Sequence, residues 1–95
     1  MTHDTKPRFS VIIPAKDRAD FLFHTLRTCS LQTYENLDVI VSDDGSSDHT
    51  RDVVAEAAKA DPRIRYVQPP IGGMRDNFEF ALRQVQPGYV LALGA

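Results

Sequence analysis

Cysteine is nearly missing from this chain: Cys29 is the only one in 95 residues, so no intrachain disulfide and no cysteine-rich metal site can form. A lone thiol accords with a reducing compartment, and a cytoplasmic location is expected. No apolar run approaches the roughly 20 residues that span a bilayer, so no membrane span is expected. The opening Met1-Thr-His-Asp-Thr-Lys-Pro7 has no apolar core of an export signal, and residues 1–8 read as a flexible tail. Basic tracts are missing too. Eleven Lys and Arg are scattered in a chain of formal net charge -2, which argues against a nucleic-acid partner. Internal repeats and low-complexity stretches are absent. So are the Gly-x-Gly-x-x-Gly and Walker patterns, which removes the main support for dinucleotide binding or ATP hydrolysis.

What is present is an ordinary globular composition, 42% hydrophobic and 25% charged, of a length that makes one small domain or part of a larger one. Phe9 to Ile13 is a β-branched apolar run, the pattern of a strand buried on both faces, with Pro14 expected to stop it. Leu22, Leu26 and Cys29 fall on one stripe of a helix ending near Gln32, which Asp17 or Asp20 can cap. Leu37 to Ser42 reads as a second strand. Ser47 or Asp48 can cap a second helix running to about Ala60, with Val53, Val54, Ala57 and Ala58 on its buried side. Asp61-Pro62 ends it, because the residue before proline is pushed out of the α region. Ile64 to Val67 is a third strand. Met74, Phe78, Leu82 and Val85 predict the buried stripe of a third helix, and Tyr89 to Leu93 a buried fourth strand.

The order β-α-β-α-β-α-β predicts an α/β fold, a Rossmann-like three-layer α/β/α arrangement around a mostly parallel four-stranded sheet. A parallel sheet needs both faces covered, so a fourth strand finishing at Leu93-Gly-Ala95 predicts a truncated domain over residues 9–95. Two strand ends are rich in polar groups, at Lys16-Asp-Arg18 and at Asp43-Asp-Gly-Ser-Ser-Asp48. In open α/β sheets ligands sit at the carboxyl ends of strands, so these two tips predict a nucleotide pocket. Asp43 is left open between turn and site. Lys16, Asp17 and Arg18 can equally be charges at a helix start. His3, His24 and His49 lack a second ligand at a binding spacing and read as structural or exposed. Cys29, Phe21, Phe23, Phe78 and Phe80 read as core.

Several motifs together resemble a family 2 glycosyltransferase of the GT-A fold. They are Ser10-Val-Ile-Ile-Pro14 with Asp17-Arg18, then Gln32-Thr-Tyr34, then Val41-Ser-Asp-Asp-Gly-Ser-Ser-Asp-His-Thr50. Further along come Met74-Arg-Asp-Asn77, Ala81-Leu82 and Gly88-Tyr-Val90. The resemblance runs from Phe9 to the last residue. It implies the nucleotide-binding half of an enzyme that moves a sugar from a UDP-linked donor to an acceptor hydroxyl. It also implies a divalent metal, Mg2+ or Mn2+, for the complete enzyme. By this resemblance Asp44 holds the base, because an acceptor-only carboxylate suits the imide N–H of uracil. Pro14 and Ala15 offer backbone to the same ring, with Lys16, Asp17 and Arg18 beside it. Gly45 and Ser46 belong to the same loop. Arg75 and Asn77 line the far side, where Gly72 and Gly73 allow close approach. Lys16 stands where some members carry an aromatic residue that stacks on the base.

The resemblance puts the Asp-x-Asp type metal motif after Ala95, so no metal ligand and no catalytic residue is expected within these 95 residues, and the chain alone is expected to be inactive. The acceptor, a saccharide or a lipid, stays open, and a homodimer through the exposed sheet edge is a possible partner arrangement. The alternative is a stand-alone nucleotide-binding or structural α/β module without catalysis.

Overall fold

A computed structural model describes residues 7–70 and 73–93, with Met74 and Arg75 described by their backbone alone. Seven elements follow one another: β1 Phe9–Ala15, α1 Ala19–Ser30, β2 Leu37–Asp43, α2 Thr50–Ala60, β3 Ile64–Val67, α3 Met74–Arg83 and β4 Tyr89–Ala92. The strands form one sheet in the order β3-β2-β1-β4, and every pairing is parallel. The chain therefore walks outward from β1 to β3, then returns to the other side of β1. That reversal sets the helices on opposite faces, α1 and α2 on one and α3 on the other, as right-handed crossovers require. The expected α/β class, element order and parallel sheet are all present.

Alternation along β1 and β2 divides the core into two layers. Val11, Ile13 and Ala15, with Val39 and Val41, pack against Leu22, Leu26, Cys29 and Val54 of α1 and α2. Ile12 and Ile40 face the other way and meet Ala81 of α3, with Val67 and Val85 beside them. Ile12, Ile13 and Ile40 are fully buried, and each contributes about 1.5–3 kcal/mol from burial.

Four expectations are corrected here. Pro14 does not end β1, which continues to Ala15 with Pro14 in register with Ser42. Alternation turns its missing N–H away from β2 and toward β4, whose last described pairing with β1 is Ile12 with Ala92, so the β1–β2 ladder stays intact. The stripe expected on α3 is displaced: Phe78 and Leu82 are exposed, while Asn77 and Ala81 are buried. Close approach of a helix to a sheet favours the small residue over the large one. Phe21 and Phe23, expected in the core, are also exposed, on the outer side of α1. Tyr89, Val90 and Leu91 of β4 are exposed because β4 is the edge strand beside β1. Met1 to Lys6, the greater part of the expected tail, lie outside the described residues. Arg8 of that segment is held, its carbonyl accepting the Tyr89 N–H at 2.9 Å.

Candidate functional site

The carboxyl ends of β1 and β2 lie side by side, one strand from the reversal point between β1 and β4, where open α/β sheets bind ligands. The last ladder contact joins them directly, Asp44 N–H donating to the Ala15 carbonyl at 2.9 Å. Ala15 is buried, and its carbonyl takes this bond within the sheet. Pro14 is half-buried, and its backbone faces away from β2.

The adjacent acids of β2 turn to opposite sides of the sheet. Asp43 is 2% exposed and points to the α1–α2 side. It accepts the Ser46 N–H at 3.1 Å, the Ser46 hydroxyl, and the Tyr66 hydroxyl at 2.5 Å. This is a satisfied structural carboxylate. Burial, reinforced by the bond to Asp43, pushes the Tyr66 hydroxyl up to about 12, and Arg51 lies over its ring at 5.5 Å. Asp44 is half-buried and turns to the α3 side, where one oxygen accepts the Gly73 N–H at 3.0 Å. Gly73 has a φ of +116°, a region that favours glycine, and that conformation presents its N–H to Asp44 just ahead of α3.

Asn77 is fixed rather than open. Its side chain is 3% exposed and pairs twice with Ser42, accepting the hydroxyl and donating to the carbonyl at 2.9 Å. It pins the first turns of α3 to β2 and so positions Gly73. Lys16, Asp17, Arg18 and Gly45 are exposed, and Ser46 is half-buried. Gly72 lies outside the described residues, and so does the side chain of Arg75. His24 and His49 are exposed, as expected. Cys29 sits in the first core layer, where burial pushes its thiol up.

Neither Asp17 nor Asp20 caps α1, whose flanking residue Arg18 makes no side-chain capping bond. Asp17 instead reaches across to the second loop. Its carboxylate accepts the N–H groups of Ser47 and Asp48 at 2.6 and 3.2 Å, while its own N–H donates to the Ser46 hydroxyl at 2.8 Å. Asp48 returns the contact, accepting the Ala19 N–H of α1 at 3.2 Å and the Thr50 N–H of α2 at 2.9 Å. The Thr50 hydroxyl, then these backbone groups, hold the Asp48 carboxyl below the usual range. Sequence reasoning placed Asp48 at its own helix alone and missed Tyr66 and Ser42. The Asp-x-Thr spacing signals the local half of the Asp48 contacts. Nothing in the sequence signals the cross-loop half or the partner of Tyr66.

Chemically, the assembled tips offer one half-buried acceptor, Asp44, beside exposed cations at Lys16 and Arg18. Among the described residues no group of three or more His, Cys, Asp or Glu is placed to hold a metal ion. No helix among them is long and apolar enough to cross a membrane.

The family model described as glycosyl transferase family 2 matches residues 10–95. A GalNAc(5)-diNAcBac-PP-undecaprenol beta-1,3-glucosyltransferase of Campylobacter jejuni is 42% identical over 60 residues, covering 63% of this chain and 19% of that protein. A validoxylamine A glucosyltransferase of Streptomyces hygroscopicus is 49% identical over 63 residues, covering 64% of this chain and 15% of that protein. The chain thus spans less than a fifth of these relatives. Among solved structures, a mannosyltransferase of Pyrobaculum calidifontis in complex with GDP-Man and Mn2+ is 28% identical, with a TM-score of 0.75 over 86% of this chain and 25% of that one. Glucosyl-3-phosphoglycerate synthase of Mycobacterium tuberculosis, in complex with Mn2+, UDP and its product, shares the fold with a TM-score of 0.77 at 18% identity, covering 93% of this chain and 33% of that one. With nearly the whole chain matched and the GT-A arrangement of strands reproduced, the chain belongs to glycosyl transferase family 2.

Proposed function

We infer that these residues form the nucleotide-binding part of an enzyme that transfers a glycosyl group from a UDP-linked sugar to an acceptor hydroxyl. The observation that carries this is Asp44. It stands at the carboxyl end of β2, turned away from its neighbour, with one oxygen on Gly73 and its acceptor character suited to a base N–H. Pro14, Lys16, Arg18, Gly45, Gly73 and Arg75 complete the proposed pocket. Ala15, Ser46 and Asn77 shape it from behind. Asp17 belongs with them in the present reading. The donor's divalent metal, Mg2+ or Mn2+, and the acceptor base are assigned to parts of the enzyme other than these residues. When bound, such a metal offsets charge that builds on the diphosphate leaving group. A nucleotide-sugar donor and a single thiol both accord with a cytoplasmic setting.

The competing reading is a module that pairs through its exposed β4 edge and binds no nucleotide. Calorimetric titration with UDP, GDP and ADP separates the two. UDP is expected to bind best, and Asp44→Ala to weaken it about 10- to 100-fold, the loss for a charge-assisted bond to a base. GDP is the informative competitor, because guanine also offers N–H groups to a carboxylate. Equal binding of all three, or UDP binding untouched by Asp44→Ala, refutes the assignment. Self-association in sedimentation without nucleotide binding favours the edge-pairing module. The purified chain is expected to turn over no UDP-sugar.

A further inference from the structure

The acids flanking the site, Asp17 and Asp48, sit thirty-one residues apart and each serves the other's loop. Asp17 leads into α1, yet its carboxylate takes the N–H groups that precede α2. Asp48 leads into α2, yet one of its oxygens takes the first N–H of α1 while the other takes Thr50 of its own helix. Asp17 holds a φ of 52°, a costly conformation for a residue with a side chain, and the cross-loop bonds offset it. The Asp17 N–H closes the ring through the Ser46 hydroxyl, which in turn donates to buried Asp43. Both helix starts lack a cap from their own flanking residue, and the first N–H of each, on Ala19 and Thr50, goes to Asp48 instead.

We propose that Asp17 and Asp48 form a reciprocal bolt that makes the tips of β1 and β2 one rigid unit, and that they are positioning residues that do not touch the nucleotide. The bolt fixes the span between the tip of β1 and Asp44, the two walls of the pocket. Its effect on nucleotide affinity rests on the donor-site reading above; its effect on loop order does not. Neither acid acts as a lone helix cap, because Asp17 serves only the far loop and Asp48 serves both loops.

Amide hydrogen exchange by NMR, paired with UDP calorimetry on the same samples, tests this. In Asp17→Ala, exchange should accelerate about tenfold at Ser47 and Asp48 and equally at Ala19, whose direct acceptor is untouched. Asp48→Ala should accelerate the same three amides, and Thr50 besides, whose acceptor it removes. The double variant should go no further than the worse single one, since breaking either side opens the unit. Amides of Ile12 and Ile40 should stay protected in all variants, which separates loop release from unfolding. Asp17→Asn keeps an oxygen acceptor and should retain most of the protection and of the UDP affinity. Where UDP binds, affinity should fall about tenfold in step with loop exchange. If Asp17→Ala frees Ser47 and Asp48 but leaves Ala19 protected, the loops are held independently and the bolt is refuted. If UDP affinity falls while all three amides stay protected, Asp17 is a ligand contact and the positioning role is refuted. Linked exchange in a chain that binds no UDP supports the bolt and removes the donor-site reading instead.

Discussion

The two ends of the sheet use carboxylates in opposite ways. At the amino end, acids meet guanidinium groups. Asp38, 7% exposed, takes a two-pronged contact from Arg65 at 2.9 and 3.0 Å, with Arg8 at 3.7 Å, while Arg65 also reaches the Gln84 carbonyl after α3. Asp61 pairs with Arg63, which extends to the carbonyls of Tyr34 and Ser30. At the carboxyl end Asp17, Asp43, Asp44 and Asp48 accept backbone N–H groups and hydroxyls. Arginine clamps close the amino end by charge. The carboxyl end is ordered by backbone geometry instead, and the cations there, Lys16 and Arg18, are exposed. Charge pairing holds one end and hydrogen bonds from neutral donors hold the other.

The sharpest way to break this contrast is to remove the buried acid at each end. Asp43→Ala leaves the half-buried Tyr66 hydroxyl and two loop donors without acceptors and should cost about 3 kcal/mol in urea unfolding. Unchanged stability would mean that the carboxyl end is not held by backbone acceptance. Asp38→Ala should cost about 2 kcal/mol, less than a fully buried pair because both arginines reach water. That cost should shrink in 1 M salt, where charges are screened beyond about 3 Å, whereas the cost of Asp43→Ala should hardly change. Equal salt sensitivity of the two variants would erase the distinction between the ends.

The smallest effect is alkaline. The folded Tyr66 hydroxyl is raised from 10.0 to about 12, so the neutral form is favoured in the fold. Its contribution is complete below pH 10 and declines as pH climbs toward 12, because the unfolded chain ionises first. The ring is half-buried, and solvent reduces the decline to about 1 kcal/mol. Tyr66→Phe should be less stable at pH 7 and should lack that decline when unfolding is compared at pH 9 and 11.5. A parallel decline in both proteins would show that Tyr66 does not report on Asp43.

Most of the architecture is legible in the sequence because β1 and β2 are β-branched runs ended by polar residues and α1 and α2 show helical period. The exceptions have identifiable causes. Pro14 looks like a stop, but whether its missing N–H matters depends on which neighbour strand has already ended. Phe78 and Leu82 look like core because apolar residues recur at helical spacing, yet Asn77 and Ala81 recur at the same spacing, and contact distance selects the smaller pair. The site is legible as a place, two polar strand tips. The division of labour within it is not, since Asp17 and Asp48 each look like the cap of their own helix. Their actual partners lie thirty residues off, at a separation local spacing cannot encode.

The paired acids of β2 have a consequence for variation. Because one faces each layer, they are not spares for one another: a lost Asp44 cannot be replaced by Asp43, nor the reverse. Deleting a single residue inside the strand would exchange their places, sending the group that faces Gly73 to the α1–α2 side and the buried group out. Such a frame slip, with every side chain still present, is expected to be worse tolerated than either point substitution.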